Sequence, residues 1–208
     1  MLAKAVRREL YKQSETKHVN IIGDEVSLST ISTGTGLPLI SQPYPAVGPE
    51  PNERIGNKIQ PVGFSFKAVY WNQYSYPVMV RRMIIKVQDG TLSNTEILSN
   101  LFEGVTANVD ASDNGAMQFL LRKINREGFT CLKDDLITLG INNGGSSLIS
   151  DKCYVKLTGS QSYRENAATH AMNDRIVVVH LAREGDGDES TGSTIEFSYA
   201  CDFYYKDF

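Results

Sequence analysis

The sequence predicts an all-β fold: a single eight-stranded jelly roll of two packed antiparallel four-stranded sheets, with short helical turns in a long loop. Two stretches, residues 58–71 and 195–205, alternate apolar and polar side chains with the period of two that marks a half-buried strand. A third, residues 176–181, is an apolar run typical of a strand covered on both faces. Because several connections are long and uneven, Greek-key crossovers are favoured over a meander of hairpins.

The first half of the chain contains three β segments. Residues 16–31 form a first β region, and residues 32–57, rich in Gly, Pro, Ser and Thr, are expected to form a long loop. After the strand of residues 58–71, residues 78–87 are expected to form a strand that is apolar on both faces. Three residues of that strand are exceptions: Arg81, Arg82 and Lys86.

Helical signals interrupt the strand pattern within residues 91–126. The segments NTEILSNLF and AMQFLLRKI predict short helical turns, with Asn94 or Thr95 as a possible N-cap. The remaining strands are expected at residues 129–132, 136–139, 153–158, 176–181 and 195–205. An acidic turn, Lys133-Asp134-Asp135, is expected to separate the first two of them.

Composition favours one jelly-roll domain, residues 16–208, preceded by a basic arm of residues 1–15 that is partly extended or disordered. With 208 residues, of which 41% are hydrophobic, the chain can bury a sizeable core. Residues 1–18 carry five Lys or Arg against two Glu, although the net charge of the chain is −3. A basic end on an acidic body hints at contact with a polyanion, and a solvated terminus explains it equally well.

The cysteines indicate a reducing compartment. Cys131, Cys153 and Cys201 are odd in number and contain no C-x-x-C pair, so a disulfide scaffold is not expected. Cys153 and Cys201 each lie on the same side of their strand as its apolar residues, so both are expected in the core. The first residues lack the apolar segment of a signal peptide, and no stretch approaches the length of a membrane span. We therefore expect a soluble intracellular protein.

The histidines do not have the spacing of metal ligands or of a catalytic motif. His18, His170 and His180 lie far apart, and His180 within its apolar run is expected to be a hydrogen-bonded core or interface residue. No nucleophile elbow and no phosphate-binding loop lysine occur. Adjacent residues on a strand would point to opposite faces, so Asp134 and Asp135 are not expected to form a catalytic pair. No enzyme activity and no cofactor are predicted.

The acidic segment GDGDESTG, residues 185–192, is the one candidate for a metal site. Counted from Asp186, it places Asp188 at the third position of an EF-hand loop. The sixth position is Thr191 instead of Gly, and the twelfth is Phe197 instead of Glu. We interpret the segment as an acidic turn between strands, with a loose divalent-cation site at a subunit contact as a minor alternative.

Short motifs follow one another along the chain. Residues 54–59, Arg-Ile-Gly-Asn-Lys-Ile, have the form R-x-G-x-x-I and enter the alternating strand. Residues 78–90 have the form v-R-v-x-l-v-x-D, with Arg81 or Arg82 as the arginine and Asp89 as the acid.

Further motifs lie after these. Residues 94–102 have the pattern of a helical turn, and residues 125–139 resemble R-F-x-V-L-x-D-x-x-x-x-L, with Asp134 or Asp135 as the acid. The last strand ends in an aromatic-x-Asp tag, residues 205–207. Together the motifs resemble, in order, the capsid proteins of small circular Rep-encoding single-stranded DNA viruses and the satellite tobacco necrosis virus-like group. The resemblance spans roughly residues 16–208, and its specificity lies in the order of degenerate motifs.

Two departures from that family's pattern stand out. Such capsid proteins usually begin with a long arginine-rich arm, whereas the first 18 residues here contain five basic residues. A short arm, a trimmed sequence, or packaging by interior-facing Lys and Arg of the shell would each explain this difference. Glu127 and Gly128 also stand between Arg126 and Phe129, which the family sets adjacent.

The resemblance implies a coat protein that self-assembles into a small T = 1 icosahedral shell of identical subunits and packages a single-stranded genome. It would be located in the virion and assembled inside the host cell. Phosphate contacts that depend on salt and not on sequence are expected from basic side chains. The candidates are Lys4, Arg7, Arg8, Lys12, Arg81 and Arg82. Arg81 and Arg82 are included because neighbours on a strand face opposite ways, so at least one is expected to leave the core.

Aromatic residues near one turn are the candidates for subunit contacts. Exposed aromatics are typical anchors of protein interfaces, although these could equally cap the end of the barrel. The predicted interface residues are Arg54, Tyr70, Trp71, Tyr74 and Tyr76.

Two other classes of protein stay open at this point. A carbohydrate-binding or lectin-like jelly roll would use Trp71 together with the loop of Asp186 and Asp188. A cupin-type enzyme would need two or three histidines gathered as a metal site inside the barrel.

Overall fold

Strands dominate the structure. A computed structural model of the chain describes residues 15–28, 39–74, 76–103, 120–140, 147–164, 171–184 and 195–207. The helix in this part of the chain is α1 (Asn94–Asn100). The strands are β1 (Lys17–Leu28), β2 (Leu39–Ser41), β3 (Lys58–Asn72), β4 (Val78–Asp89), β5 (Phe129–Leu139), β6 (Ser147–Lys156), β7 (Gln161–Ser162), β8 (Asn173–Glu184) and β9 (Ile195–Asp207).

The strands form two antiparallel sheets whose order defines a jelly roll. The first sheet runs β1-β9-β3-β6, with the two-residue β7 pairing beside one end of β3, and the second runs β2-β8-β4-β5. The pairs are nested, since β1 pairs with β9, β2 with β8, β3 with β6 and β4 with β5. Nested pairs spread over two sheets are the arrangement of a double Greek key, so the predicted all-β jelly roll is confirmed.

The central strand β3 shows why this sequence folds as a half-buried sheet. Phe64, Phe66 and Tyr70 have no exposed surface, whereas Val69 and Trp71 between and beyond them are 43% and 39% exposed. Because side chains alternate along a strand, one side of β3 faces the second sheet and the other faces outward. The last strand, β9, alternates in the same way.

Two apolar cores explain why other strands do not alternate. The main core lies between the facing sides of the two sheets. A second core lies on the outer side of the second sheet, where the segment between β4 and β5 covers it. Its fully buried members include Met83, Ile85, Val177, Val179 and Ile97. Strands β4 and β8 are therefore apolar on both faces, as their sequences predict.

Two of the expected elements are wrong. Residues 129–139 form one continuous strand, β5, because Asp134 and Asp135 extend along β4 and pair with its arginines instead of turning. Inside the expected long loop, residues 39–41 form β2, because pairing with β8 lets Ile40 enter the core, where it is 7% exposed.

The N-cap of α1 is Ser93, not Asn94 or Thr95. The Ser93 hydroxyl accepts a hydrogen bond from the backbone N–H of Glu96, and the Glu96 carboxylate accepts one from the backbone N–H of Ser93. This capping box satisfies N–H groups that the helix itself leaves unpaired. The second helical segment, residues 116–124, lies partly outside the described residues.

Candidate subunit and nucleic-acid interfaces

Arg81 lies on the outer side of the second sheet, beneath the segment that connects β4 and β5. Its Nε and Nη2 donate to the two carboxylate oxygens of Asp134 at 2.9 and 2.7 Å, and its Nη1 donates to the carbonyl of Arg122 at 2.9 Å. The guanidinium also lies over the ring of Phe102. A planar fork held by one carboxylate is the strongest geometry of this pair. The charge of Arg81 is therefore neutralised within the subunit.

Arg82 points the opposite way, into the space between the two sheets. Its guanidinium pairs with Asp135 on β5 and with Asp151 on β6, and only 1% of its side chain is exposed. The two carboxylates are 32% and 22% exposed. Because β5 and β6 are edge strands of different sheets, this three-residue cluster ties the sheets together along one open side of the sandwich.

The prediction that Arg81 or Arg82 leaves the core is wrong. The two side chains do point to opposite faces, but both faces of β4 are covered, so both arginines are buried. Their contact with nucleic acid stays a prediction, and the structure places each of them against carboxylates of the same subunit.

His180 is buried in the main core, as expected. Its Nε2 lies 2.9 Å from the hydroxyl of Tyr70, and its ring packs near those of Phe66 and Phe197. Burial, assisted by the nearby Arg82 cation, lowers the pKa of His180 to about 3, so the imidazole is neutral. Burial also raises the pKa of Tyr70. The pair is therefore a neutral hydrogen bond that fixes the orientation of both rings.

Arg54 folds back on its own loop instead of facing a partner. Its Nη1 donates to the carbonyl of Gly56 at 2.5 Å and to Oδ1 of Asn57 at 3.1 Å, and its guanidinium lies 4.5 Å above the ring of Tyr163. Only 1% of the residue is exposed. In the fold the side chain shapes the turn that enters β3 and offers almost no exposed surface, and its role in a subunit contact stays a prediction.

The aromatic cluster divides into buried and exposed members. Tyr70 and Tyr74 are buried, so for them the structure favours the alternative in which the rings close the end of the sandwich. Tyr76 is half-buried and stacks on Tyr74 with centroids 4.9 Å apart. Trp71 is 39% exposed on the outer side of β3, so it stays a candidate for an interface.

The outer side of the first sheet carries side chains that sequence reasoning only partly identified. The alternation of residues 58–71 places Lys67 on the outward side as a possible genome or interface contact, but it does not identify the neighbours of Lys67. In the structure Lys67 is directly opposite Lys152, and Trp71 is opposite Leu148, which is 63% exposed. The sequence signal that could have identified these neighbours is the alternation of residues 153–158. It directs Cys153 and Val155 inward and therefore Tyr154 and Lys156 outward. We call Lys67, Trp71, Lys152, Tyr154, Lys156 and Tyr204 the basic–aromatic face.

Several predicted site residues lie outside the described residues. They are Lys4, Arg7, Arg8 and Lys12 of the arm, His170, and Asp186 and Asp188 of the acidic segment. Within the described ranges, no three His, Cys, Asp or Glu side chains gather as ligands of a metal ion would. Of the helices in those ranges, none is long and apolar enough to span a bilayer.

Comparison with known proteins yields only distant likenesses. No protein-family profile matches the chain, and no curated protein matches its sequence. Among solved structures, dimeric latent PorU from Porphyromonas gingivalis overlaps 93% of this chain with a TM-score of 0.37 at 8% identity. This chain spans 13% of that PorU chain.

Two further solved structures also overlap most of this chain. The Mud crab tombus-like virus structure covers 93% of this chain and 83% of its own, with a TM-score of 0.35 at 10% identity. A structure described as "KBV activated particle at acidic pH" covers 91% and 69%, with a TM-score of 0.26 at 12% identity. Because no TM-score among the three exceeds 0.37, these likenesses carry no argument about function.

Proposed function

We propose that this chain is a viral coat subunit that self-assembles into a small icosahedral shell around a single-stranded nucleic-acid genome. The observation that carries the proposal is the nested jelly-roll strand order, with the capsid-like motifs lying on its strands in sequence. The R-x-G-x-x-I turn enters β3, the arginine motif lies in β4, and the Arg-Phe-Asp motif ends in β5. Jelly rolls serve as capsid domains, lectins and cupins, so the fold admits this function without proving it.

The spatial pairing of two motifs supports the proposal. The arginine motif and the acidic residues of the motif at residues 125–139, which are far apart in sequence, meet as two ion pairs, Arg81 with Asp134 and Arg82 with Asp135. The pairs lie at the edge of the sandwich, where a shell subunit needs a rigid frame for contacts with its neighbours.

Exposed apolar side chains lie on several sides of the subunit. Ile22 on β1 is 72% exposed, Ile55 in the loop before β3 is 76%, Leu136 on β5 is 54% and Leu148 on β6 is 63%. A subunit of a closed shell is contacted by neighbours on more than one side, and each contact must bury complementary surface. Large apolar side chains spread around the subunit suit that requirement.

The finer parts of the proposal come from the resemblance. They are a T = 1 shell, a single-stranded DNA genome, residues 16–208 as the shell domain, and an arm of residues 1–15 that contacts the genome through Lys4, Arg7, Arg8 and Lys12. The virion would be assembled inside the host cell. Electrostatic contact by the arm would be independent of sequence and weakened by salt.

A lectin-like module is kept as a second candidate because Trp71 is exposed on the outer face of a sheet. It predicts binding of a sugar, with a dependence on calcium if the acidic segment of Asp186 and Asp188 takes part. The cupin alternative has less support, since His180 lies between the sheets whereas His18 contacts Tyr204 on the outer side of the first sheet.

Negative-stain microscopy of the purified full chain tests the proposal. We expect uniform closed particles, and an absorbance ratio at 260 over 280 nm that indicates packaged nucleic acid. A chain that stays monomeric over a wide range of concentration and salt would contradict the proposal, and a monomer that binds sugar would support the lectin-like alternative. Substituting Ile55→Glu and Leu136→Glu is expected to reduce particle yield, with Ile55→Val and Leu136→Met as matched controls that assemble.

A further inference from the structure

Two lysines face each other on the outer side of the first sheet, and neither has an ion-pair partner among the described residues. The register of β3 and β6 places Lys67 directly opposite Lys152, and both side chains are exposed. Like charges directly opposite on neighbouring strands destabilise a sheet. The ion pairs between described residues include neither lysine. An anion bound from outside would relieve this repulsion.

Aromatic rings lie beside this pair of lysines. Tyr154 is 57% exposed, and its ring leans over Gly63, where a Cβ atom would come within 2.1 Å of the Tyr154 hydroxyl oxygen. Only a glycine therefore permits the ring to lie in this position. Its centroid is 6.4 Å from that of Tyr204, which is in turn 5.9 Å from that of His18. A row of rings thus crosses β6, β9 and β1.

The spacing of rings and amines fits a chain that alternates flat bases with phosphates. Tyr154 is two residues from Lys152 on one side and two from Lys156 on the other, about 7 Å along the strand in each direction. A base stacked on the ring of Tyr154 therefore places its phosphates near amines. The face is not uniformly basic, since Glu196 and Asp202 point outward from β9; the lysines lie toward the β6 edge.

We propose that the basic–aromatic face binds single-stranded nucleic acid. Lys67, Lys152 and Lys156 neutralise phosphates, and Tyr154 supplies a stacking surface, so binding is strong at low salt and tolerant of sequence. The inference deepens the proposed function, because in a coat subunit this face would be turned toward the genome. A second copy of the chain is a poorer occupant, since a two-fold contact of the same patch sets lysines against lysines.

Trp71 is a built-in reporter for this proposal. It is the one tryptophan in the sequence, and it lies on the same side of β3 as Lys67. An oligothymidylate of about 16 nucleotides, added to full-length subunits dissociated from any assembly, is expected to quench Trp71 emission. Binding through the basic arm alone would leave this emission unchanged.

Matched variants separate phosphate contact from stacking. The double substitution Lys67→Gln/Lys152→Gln is expected to lower the slope of log affinity against log salt by about 1.4, because two phosphate contacts are lost. Tyr154→Ser is expected to weaken binding about 5- to 150-fold, whereas Tyr154→Phe retains it. The control Lys123→Gln/Arg126→Gln removes the same charge from exposed residues between β4 and β5 and is expected to change affinity less than about 2-fold.

The outcomes decide between this inference and the proposed function. Oligonucleotide binding that leaves Trp71 emission unchanged, or that weakens as much in the control as in the lysine variant, overturns the inference. Emission that shifts with protein concentration alone, and not with oligonucleotide, also overturns it and assigns the face to a second copy. Closed particles without quenching would leave the coat proposal standing, whereas quenching in a chain that never assembles would leave only the nucleic-acid face.

Discussion

The cluster of Arg82, Asp135 and Asp151 is expected to depend on its carboxylates far more than on its arginine. The Arg82 side chain is 1% exposed, while the two carboxylates are 32% and 22% exposed. Substituting Asp135→Asn/Asp151→Asn leaves a buried cation without a counter-charge, which we expect to cost about 3 kcal/mol or more. Substituting Arg82→Met removes the buried charge and leaves two carboxylates that water partly reaches, so the expected cost is about 1 kcal/mol.

The triple variant, with all three substitutions, is expected to recover most of the stability lost in the double variant, since no unpaired charge then stays buried. For a chain of this length, about 3 kcal/mol corresponds to a fall in Tm of about 6–12 °C. Urea unfolding of dissociated subunits, followed by circular dichroism, measures each free energy. Asp202→Asn, on the outward side of β9, is a control expected to change stability by less than about 0.5 kcal/mol. The reasoning is refuted if Arg82→Met costs as much as the double carboxylate variant.

Three further predictions concern single residues. The fold lowers the pKa of His180, so below about pH 6.5 the unfolded chain takes up a proton at this residue and the folded chain does not. The free energy of unfolding should therefore fall by about 1.4 kcal/mol per pH unit from about pH 6.5 toward pH 3, while the contribution of neutral His180 is complete above about pH 6.5. Urea titrations at a series of pH values should find this slope missing in His180→Gln. Arg54→Lys should lower the free energy of unfolding by about 2 kcal/mol, because an ammonium group cannot both hydrogen-bond within the turn and stack on Tyr163. Limited proteolysis of this variant should then cut within residues 46–57 first. Ser93→Ala should cost about 1 kcal/mol by loss of the N-cap of α1, measured by thermal unfolding, with Ser93→Thr as the control that stays close to wild type.

Alternation along single strands made much of the fold predictable. The inward and outward sides of β3 and β9 follow from the sequence because a half-buried strand imposes a period of two. The core positions of Cys153 and Cys201 follow for the same reason, whereas that of His180 follows from the apolar run of residues 176–181. Burial of all three is confirmed. Long connections between these strands correctly favoured a jelly roll over a meander.

Pairing between distant strands was not predictable in the same way. Consecutive polar residues at Asp134 and Asp135 predict a turn when only neighbouring residues are considered. Their ion pairs with the arginines of β4, which are distant in sequence, keep them in an extended strand instead. The expectation that Arg81 or Arg82 leaves the core failed for the same reason, since the carboxylates that pair with Arg82 lie on β5 and β6. The sequence left two alternatives for Tyr70 and Tyr74, an exposed interface or closure of the barrel end, and the packing of the sandwich end buries both.

The basic–aromatic face could not be predicted from the sequence either, because it depends on pairing between distant strands. Lys67 and Lys152 each lie in an ordinary alternating strand, and only the register of β3 against β6 sets the two amines opposite each other. Gly63 reads in sequence as a weak point of a strand, whereas in the structure it provides the space for the ring of Tyr154.

Mass measurement by light scattering tests the central claim, assembly into a closed shell, most directly. The full chain would be purified and measured over a series of protein concentrations at low and high salt. We predict two species, the free subunit and one discrete closed particle, with the particle appearing above a threshold concentration and no ladder of intermediates. A single monomer mass at every concentration, or an open-ended distribution of sizes, would contradict a coat subunit.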